Sequence, residues 1–311
     1  MEIKEFKTID GIDAVQIINA PKISLFKTFD CGQCFRFEPV SLFGNKYEVA
    51  GVAFGRYVVF AQNSESELII YNSTRQDFFD IWYSYLSLDV DYDEIDKDIL
   101  SKIEDEHMKR AVEYGSGIRI LSQDAWECII SFIISQNNNI PRIKKIVSAI
   151  CEKYGEVVEF RGERYYSFPT PHALSVASVD ELYELRMGFR ARYIYDACRV
   201  VSADLDMFSR IKADDYKKSL ESLCKIKGIG LKVASCALLF GAGRGEAFPI
   251  DVHMKRTLEK NFPNGFDYIS LGKNAGIAQQ YLFYYEKNNQ NSLLLIQIIV
   301  KYLCKIFQKR K

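Results

Sequence analysis

The hydrophobic period of this chain changes once, near Gln76, and that change points to a two-part fold. Before it, Lys46–Ala53, Tyr57–Ala61 and Glu67–Tyr71 are short runs rich in Val, Ile, Phe and Tyr, separated by Gly, Asn and Ser. Such runs in close succession predict antiparallel strands joined by tight turns. After it, apolar residues recur at three- and four-residue steps, first through Phe79, Trp82, Tyr83 and Leu86 and then along most of the remaining chain. That spacing lines up one face of a helix. The pattern predicts an α+β architecture, with a small N-terminal antiparallel β-sheet domain and flanking helices over residues 1–115. A larger all-helical region over residues 116–311 follows it.

Helices are predicted at Trp126–Ser135, Val179–Leu185, Arg192–Ser202, Tyr216–Ile226, Leu231–Phe240, His253–Lys260 and Leu293–Phe307. Ser122 and Asp124 are candidate caps for the first of these. The run Gln136-Asn137-Asn138-Asn139 ahead of Pro141 reads as a helix-ending turn that also presents many hydrogen-bonding groups. No internal repeat or low-complexity linker separates the two parts, so they are expected to pack closely.

Charge and cysteine usage narrow the function classes. A formal net charge of zero argues against coating nucleic acid by bulk electrostatics. Acidic residues nevertheless dominate Asp89–Glu106, while Arg190, Arg192, Arg199, Lys255, Arg256 and Lys309–Lys311 fall in the second half, which permits one basic face. No apolar run is long enough to span a bilayer, and the first residues, Met-Glu-Ile-Lys-Glu-Phe-Lys, do not read as a targeting signal. A monomeric cytoplasmic protein with no membrane partner is expected. Most of the eight cysteines lie inside apolar segments and read as reduced core thiols. Cys31 and Cys34 form a C-x-x-C without a second ligand pair, and Cys304 stands alone near the end, so neither a zinc site nor a four-cysteine iron–sulfur loop is expected.

The segment richest in chemical information is Leu223–Phe240. Two helical patterns are separated by Lys227-Gly228-Ile229-Gly230, enough only for a hairpin turn, whose glycines allow positive φ and close backbone approach. Such a turn leaves main-chain N–H groups and a helix N-terminus facing outward, suited to a phosphate. The second helix ends at Gly241-Ala242-Gly243-Arg244-Gly245, and Asp251 then stands where the next helix wants its N-cap.

Hairpin, Lys232 at its second helix, the Gly/Pro loop and Asp251 together resemble the helix-hairpin-helix glycosylase superfamily. The stretches Gly230–Cys236 and Pro249–Lys255 are similar to its 8-oxoguanine DNA glycosylase branch. So are Ser131–Arg142, resembling the Asn-rich segment, Gly188–Tyr193, resembling the wedge loop, and Cys31–Arg36, resembling the N-terminal recognition turn. The likeness runs from about residue 25 to Phe283.

The resemblance implies a base excision repair enzyme with two activities, a DNA N-glycosylase and an AP lyase, acting on duplex DNA that contains 8-oxoguanine. Lys232 and Asp251 would be catalytic. An amine attacks a sugar C1′ only when unprotonated, whereas a lysine in water titrates at about 10.4, so Lys232 should be partly desolvated or near positive potential. Its attack would give a Schiff base and then β-elimination. Asp251 would stabilise positive charge developing on the sugar. The target base must leave the stack. Asn137 would fill the gap, Phe189 would wedge into the stack, and Arg142 and Arg190 would hydrogen-bond the orphaned cytosine. Gly228, Gly230 and His253 would hold phosphates. Gly32 would offer its carbonyl to N7–H, which guanine lacks. Gln279 would read the Watson–Crick edge, with Phe283 and Cys236 on the two base faces. No cofactor is required, although the main-chain carbonyls of Cys224, Ile226 and Ile229 match a structural cation site of the family. Phe189 departs from the family's Tyr, and Ile277 from an aromatic residue. The competing readings are a noncatalytic helix-hairpin-helix DNA-binding module, a sister glycosylase for another damaged purine, and a cysteine hydrolase built on Cys236, His253 and Asp251.

Overall fold

The computed structural model describes residues 1–204 and 206–289. Six strands form one antiparallel sheet: β1 (Glu2–Lys7), β2 (Asp13–Ile18), β3 (Phe37–Val40), β4 (Tyr47–Ala53), β5 (Arg56–Gln62) and β6 (Glu67–Tyr71), ordered β1-β2-β6-β5-β4-β3. The three strands expected from sequence are β4, β5 and β6, which lie side by side inside the sheet. Val58 and Phe60 face a core with Phe29 and Trp82, while Tyr57, Val59 and Ala61 face a second cluster on the other side. Burial on both faces explains why these strands read as continuous apolar runs. β1 gave no such signal because it is an edge strand, Glu-Ile-Lys-Glu-Phe-Lys, with almost every residue exposed.

The region after residue 116 is mostly helical, not all-helical as expected. β7 (Val157–Phe160) and β8 (Glu163–Tyr166) pair as an antiparallel hairpin. Its turn is Arg161-Gly162, with φ of 52° and 79°, a conformation whose twist suits a two-residue loop. Four-residue strands carrying Glu159, Glu163 and Arg164 were too short and too charged to show a clear alternation. The hairpin fastens the helical part to the sheet. Tyr57 of β5 stacks on Phe160 with centroids 4.6 Å apart, and Arg161 Nε donates to Asp10 at 2.8 Å.

A buried ion pair makes a second fastening. Arg36 lies 3.4 Å from Glu127, with both side chains largely withdrawn from water, and its guanidinium also donates to the Tyr166 carbonyl. Burial pushes the Glu127 carboxyl up, and the Arg36 charge pulls it back. Arg36→Met is expected to destabilise the protein by about 3–5 kcal/mol near neutral pH, the range for leaving a buried charge without its partner. A carboxyl that holds its proton more tightly folded than unfolded loses stability as pH rises through the folded value, so the deficit should shrink in mildly acid solution. Urea unfolding at about pH 5 and about pH 7 checks this, and equal deficits at both would rule out the charge as the cause.

The Ala125–Ser135 helix is buried along most of its length and is capped by Asp124 rather than Ser122, the carboxylate accepting from Glu127 N at 2.8 Å. The Asn run does more than end it. Asn139 caps the following helix, Ile140–Tyr154, by accepting from Arg142 N at 3.0 Å. The helix expected over Val179–Leu185 loses helical geometry at Leu185 and Arg186, where φ reaches 62° at Arg186, and the chain turns at Gly188. The helix expected over Leu293–Phe307 and Cys304 lie outside the described residues.

The C-terminal part returns to the N-terminal one. Helices Tyr92–Lys102 and Glu106–Gly115 share a core with Phe248, Tyr281, Leu282 and Tyr284. Gly115 is required there, because a Cβ would overlap the Tyr281 ring. Among the described residues, no helix is long and apolar enough to cross a membrane.

Candidate active site

Helices Tyr216–Cys224 and Leu231–Ala242 form the expected hairpin. Gly228 has φ of 89°, and a Cβ there would overlap the Tyr193 ring, so only glycine fits. Its carbonyl accepts from Gln136 Nε2 at 3.0 Å, which ties the hairpin to the Asn-rich segment. Gly230 differs from expectation. Its φ is −92°, and a Cβ would meet nothing within 4 Å, so no strain within the chain demands glycine there. It begins the second helix without a side-chain cap and is exposed, which leaves N–H groups of the first turn directed outward.

Lys232 lies in that first turn and is half-buried. Its Nζ donates to Ser135 Oγ at 3.3 Å and sits 5.0 Å from the Phe132 ring centroid. The Ser135 hydroxyl spends its own proton on the Phe132 carbonyl at 2.8 Å, so a lone pair faces the amine. Asp251 is the N-cap of the Val252–Asn261 helix, with Oδ1 accepting from Met254 N at 2.7 Å. Among the described residues, its second oxygen accepts no hydrogen bond. The capping role is therefore real, and it leaves half of the carboxylate free. Cys236 stands one turn beyond Lys232 and is buried, which pushes its thiol up; the Lys232 charge pulls it down and the Asp251 charge raises it.

The turn Cys31–Cys34 is held by amide side chains. Buried Gln33 donates to the carbonyls of Thr28 and Arg119, both at 2.8 Å, and accepts from Leu121 N at 2.8 Å. Gly32 has φ of 81°, and a Cβ there would lie 3.6 Å from Phe283 Cε1, so the turn and Phe283 are neighbours. Gln279, on the same helix as Phe283 (residues 275–289), is buried, and its Oε1 has no hydrogen-bond partner among the described residues. An orphaned buried acceptor beside a ring and a glycine turn is suited to a ligand that brings N–H groups.

A third group lies around the Asn-rich segment. Asn137 is exposed with φ of 48°, and Phe189 is exposed at the start of the Arg190–Ser202 helix. Arg142 is exposed, and its Nη2 donates to the Arg186 carbonyl at 3.1 Å. Arg190 is placed otherwise. Its guanidinium is buried, donating to the carbonyls of Gln136, Asn137 and Met187, and lies 4.5 Å from the Phe189 ring centroid. In this state it braces the loop and is not presented to a base. His253 is exposed.

Two family models cover most of the chain. The N-terminal domain of 8-oxoguanine DNA glycosylase matches residues 16–129, and the HhH-GPD superfamily of base excision DNA repair proteins matches residues 130–264. An N-glycosylase/DNA lyase of Saccharomyces cerevisiae is 29% identical over 277 residues, 83% of this chain and 72% of its own. A protein of Methanothermobacter thermautotrophicus is 30% identical over 216 residues, 60% of this chain and 69% of its own. The 8-oxoguanine glycosylase/lyase of Clostridium acetobutylicum, solved with double-stranded DNA containing cytosine opposite 8-oxoguanine, is 35% identical. It superposes with a TM-score of 0.83 over 93% of this chain and 99% of that one. The chain belongs to the 8-oxoguanine DNA glycosylase family.

As an N-glycosylase/DNA lyase of base excision repair, it is not a noncatalytic binding module. A cysteine hydrolase is also unsupported, because Cys236 is buried and its thiol is pushed up, the opposite of an activated nucleophile. Several residues of this glycosylase's site were missed from sequence: Ser135 and Phe132 beside the amine, and Gln33 and Gln280 behind the Gly32 turn. The one available signal was a pair of amides, Gln279-Gln280, inside an otherwise apolar helical stretch.

Proposed function

We propose that Lys232 is the nucleophile and Asp251 the charge-stabilising carboxylate in excision of 8-oxoguanine from duplex DNA. The observation that carries this reading is a half-buried Lys232 amine in the first turn of the hairpin's second helix, 3.3 Å from the Ser135 hydroxyl, in a chain whose Asp251 keeps one carboxylate oxygen unspent by its helix cap. Lys232 Nζ attacks C1′ of an everted nucleotide as the bond to the base breaks, and the departing base takes up a proton. Opening of the sugar gives a Schiff base between Nζ and C1′; loss of a C2′ proton then expels the 3′ phosphate. The free oxygen of Asp251 faces the positive charge that builds on the sugar. Borohydride added during turnover on 8-oxoguanine duplex tests the scheme. A covalent protein–DNA adduct is expected, and strand cleavage without an adduct would exclude an imine.

The base pocket is read as Gly32, Gln279, Phe283 and Cys236. The Gly32 carbonyl accepts no hydrogen bond among the described residues and so is available to N7–H. The orphaned Oε1 of Gln279 would take an N–H of the Watson–Crick edge. On the opposite strand, Arg142 is the better placed reader of cytosine, since Arg190 would first have to release the loop carbonyls. Asn137 would occupy the vacated space, with Phe189 wedged beside it. Arg142→Ala is expected to reduce the preference for cytosine over adenine opposite the lesion about tenfold or more, the scale of a charged bidentate contact to one base. Excision rates on the two duplexes check this, and an unchanged ratio would remove Arg142 from recognition.

Gly228, Gly230 and His253 would contact phosphates. The carbonyls of Cys224, Ile226 and Ile229 could hold a cation at the turn. That of Ile226 already accepts Ile229 N at 3.0 Å but keeps a second lone pair for an ion. Such an ion would add positive charge beside a phosphate, and base removal does not run through it.

A further inference from the structure

We infer that Gln280 is a positioning residue that aims the Gly32 carbonyl and so sets the discrimination of 8-oxoguanine from guanine. The inference rests on the reading of Gly32 given above. Gln280 is buried, and its Nε2 donates to the Cys31 carbonyl at 2.8 Å across 249 residues of sequence. The amide cannot be turned round, because its oxygen would then face the carbonyl oxygen. Cys31 C=O belongs to the peptide plane that enters Gly32, so this bond fixes the plane on one side of the glycine. On the other side, Gln33 is anchored through its side chain to Thr28, Arg119 and Leu121, and its carbonyl accepts from Gln123 Nε2 at 2.8 Å.

Between these anchors stands the residue of the turn with the freest backbone, at φ of 81°. With the peptide that enters Gly32 and the residue that follows it both pinned, the rotation left to its own carbonyl is small. The same helix carries Gln279 and Phe283, and its Lys287 Nζ donates to the Asp30 carbonyl at 2.8 Å. The parts that would touch the base edge, the base face and N7–H therefore move as one body. Without the Gln280 bond, Cys31 C=O is left buried and unpaired, and the turn can rotate to relieve it. The bond affected most is the one that separates the lesion from guanine.

The predicted consequence is selective, because strand cleavage at a preformed abasic site needs no base recognition. In Gln280→Met, which keeps length and loses the donor, excision of 8-oxoguanine should fall about tenfold or more per competent molecule, while abasic-site cleavage stays within about twofold. Borohydride trapping on abasic DNA counts competent molecules in the same preparation. If Gln280→Met does not fold, Gln280→Asn, polar but one methylene short, carries the same comparison. Equal losses in both activities, or no loss in either, would overturn the inference. The reading of Gly32 is tested separately, by binding of the Lys232→Gln protein to duplexes carrying 8-oxoguanine or its 7-deaza analogue, whose C–H replaces N7–H. Equal affinity overturns that reading. Rejection of the analogue together with a Gln280→Met protein that excises normally overturns only the role of Gln280.

Discussion

The Lys232→Gln protein should give no borohydride adduct on 8-oxoguanine DNA and should lose at least about a thousandfold in excision rate, while still binding the duplex. Glutamine nearly matches the length of the lysine, can still hydrogen-bond Ser135 Oγ, and removes only the amine and its charge. One phosphate-scale charge is lost from the interface, so affinity should fall by no more than about an order of magnitude in moderate salt. The amine lies at the start of a helix, over the Phe132 ring and 3.3 Å from a hydroxyl whose proton is directed elsewhere. A cross-link that survives the substitution would name a different nucleophile and end the mechanism proposed for this site.

Asp251→Asn should slow base excision by about a hundred- to a thousandfold, the range for removing one preorganised group that faces developing charge. DNA affinity and thermal stability should barely change. Asparagine caps a helix about as well as aspartate, so the bond to Met254 N at 2.7 Å can be kept. The substitution therefore separates the observed cap from the proposed stabilisation of charge. Asp251→Ala, by contrast, removes the cap as well and should cost about 0.5–2 kcal/mol of stability. If Asp251→Asn excises at the normal rate, the carboxylate is only a cap. A parallel fall in excision and affinity would point to a damaged DNA surface instead.

Much of this site lay in local sequence, and the reason is that its main devices are local. A helical hairpin is specified by two periodic segments and the turn between them, and Lys232 follows that turn by two residues. The Asp251 cap closes onto Met254, three residues on. β4, β5 and β6 were visible because burial on both faces leaves an unbroken apolar run. Where such signals were short or charged, as in β1, β7 and β8, they were lost. Arg190 shows a further limit, since nothing in Gly188–Tyr193 reveals that its guanidinium turns inward to Gln136 and Asn137.

From the order of residues came the α+β plan and the hairpin, and, through the family resemblance, the lysine and aspartate to which the chemistry is proposed to belong. Only the folded chain decided that Ser135 meets the amine from 97 positions away, that Gln280 reaches Cys31, and that Arg36 finds Glu127. Periodicity, turns and caps are encoded within a few residues because backbone geometry repeats over that distance. Pairings between distant segments depend on how whole elements pack, and no short stretch of sequence carries that information.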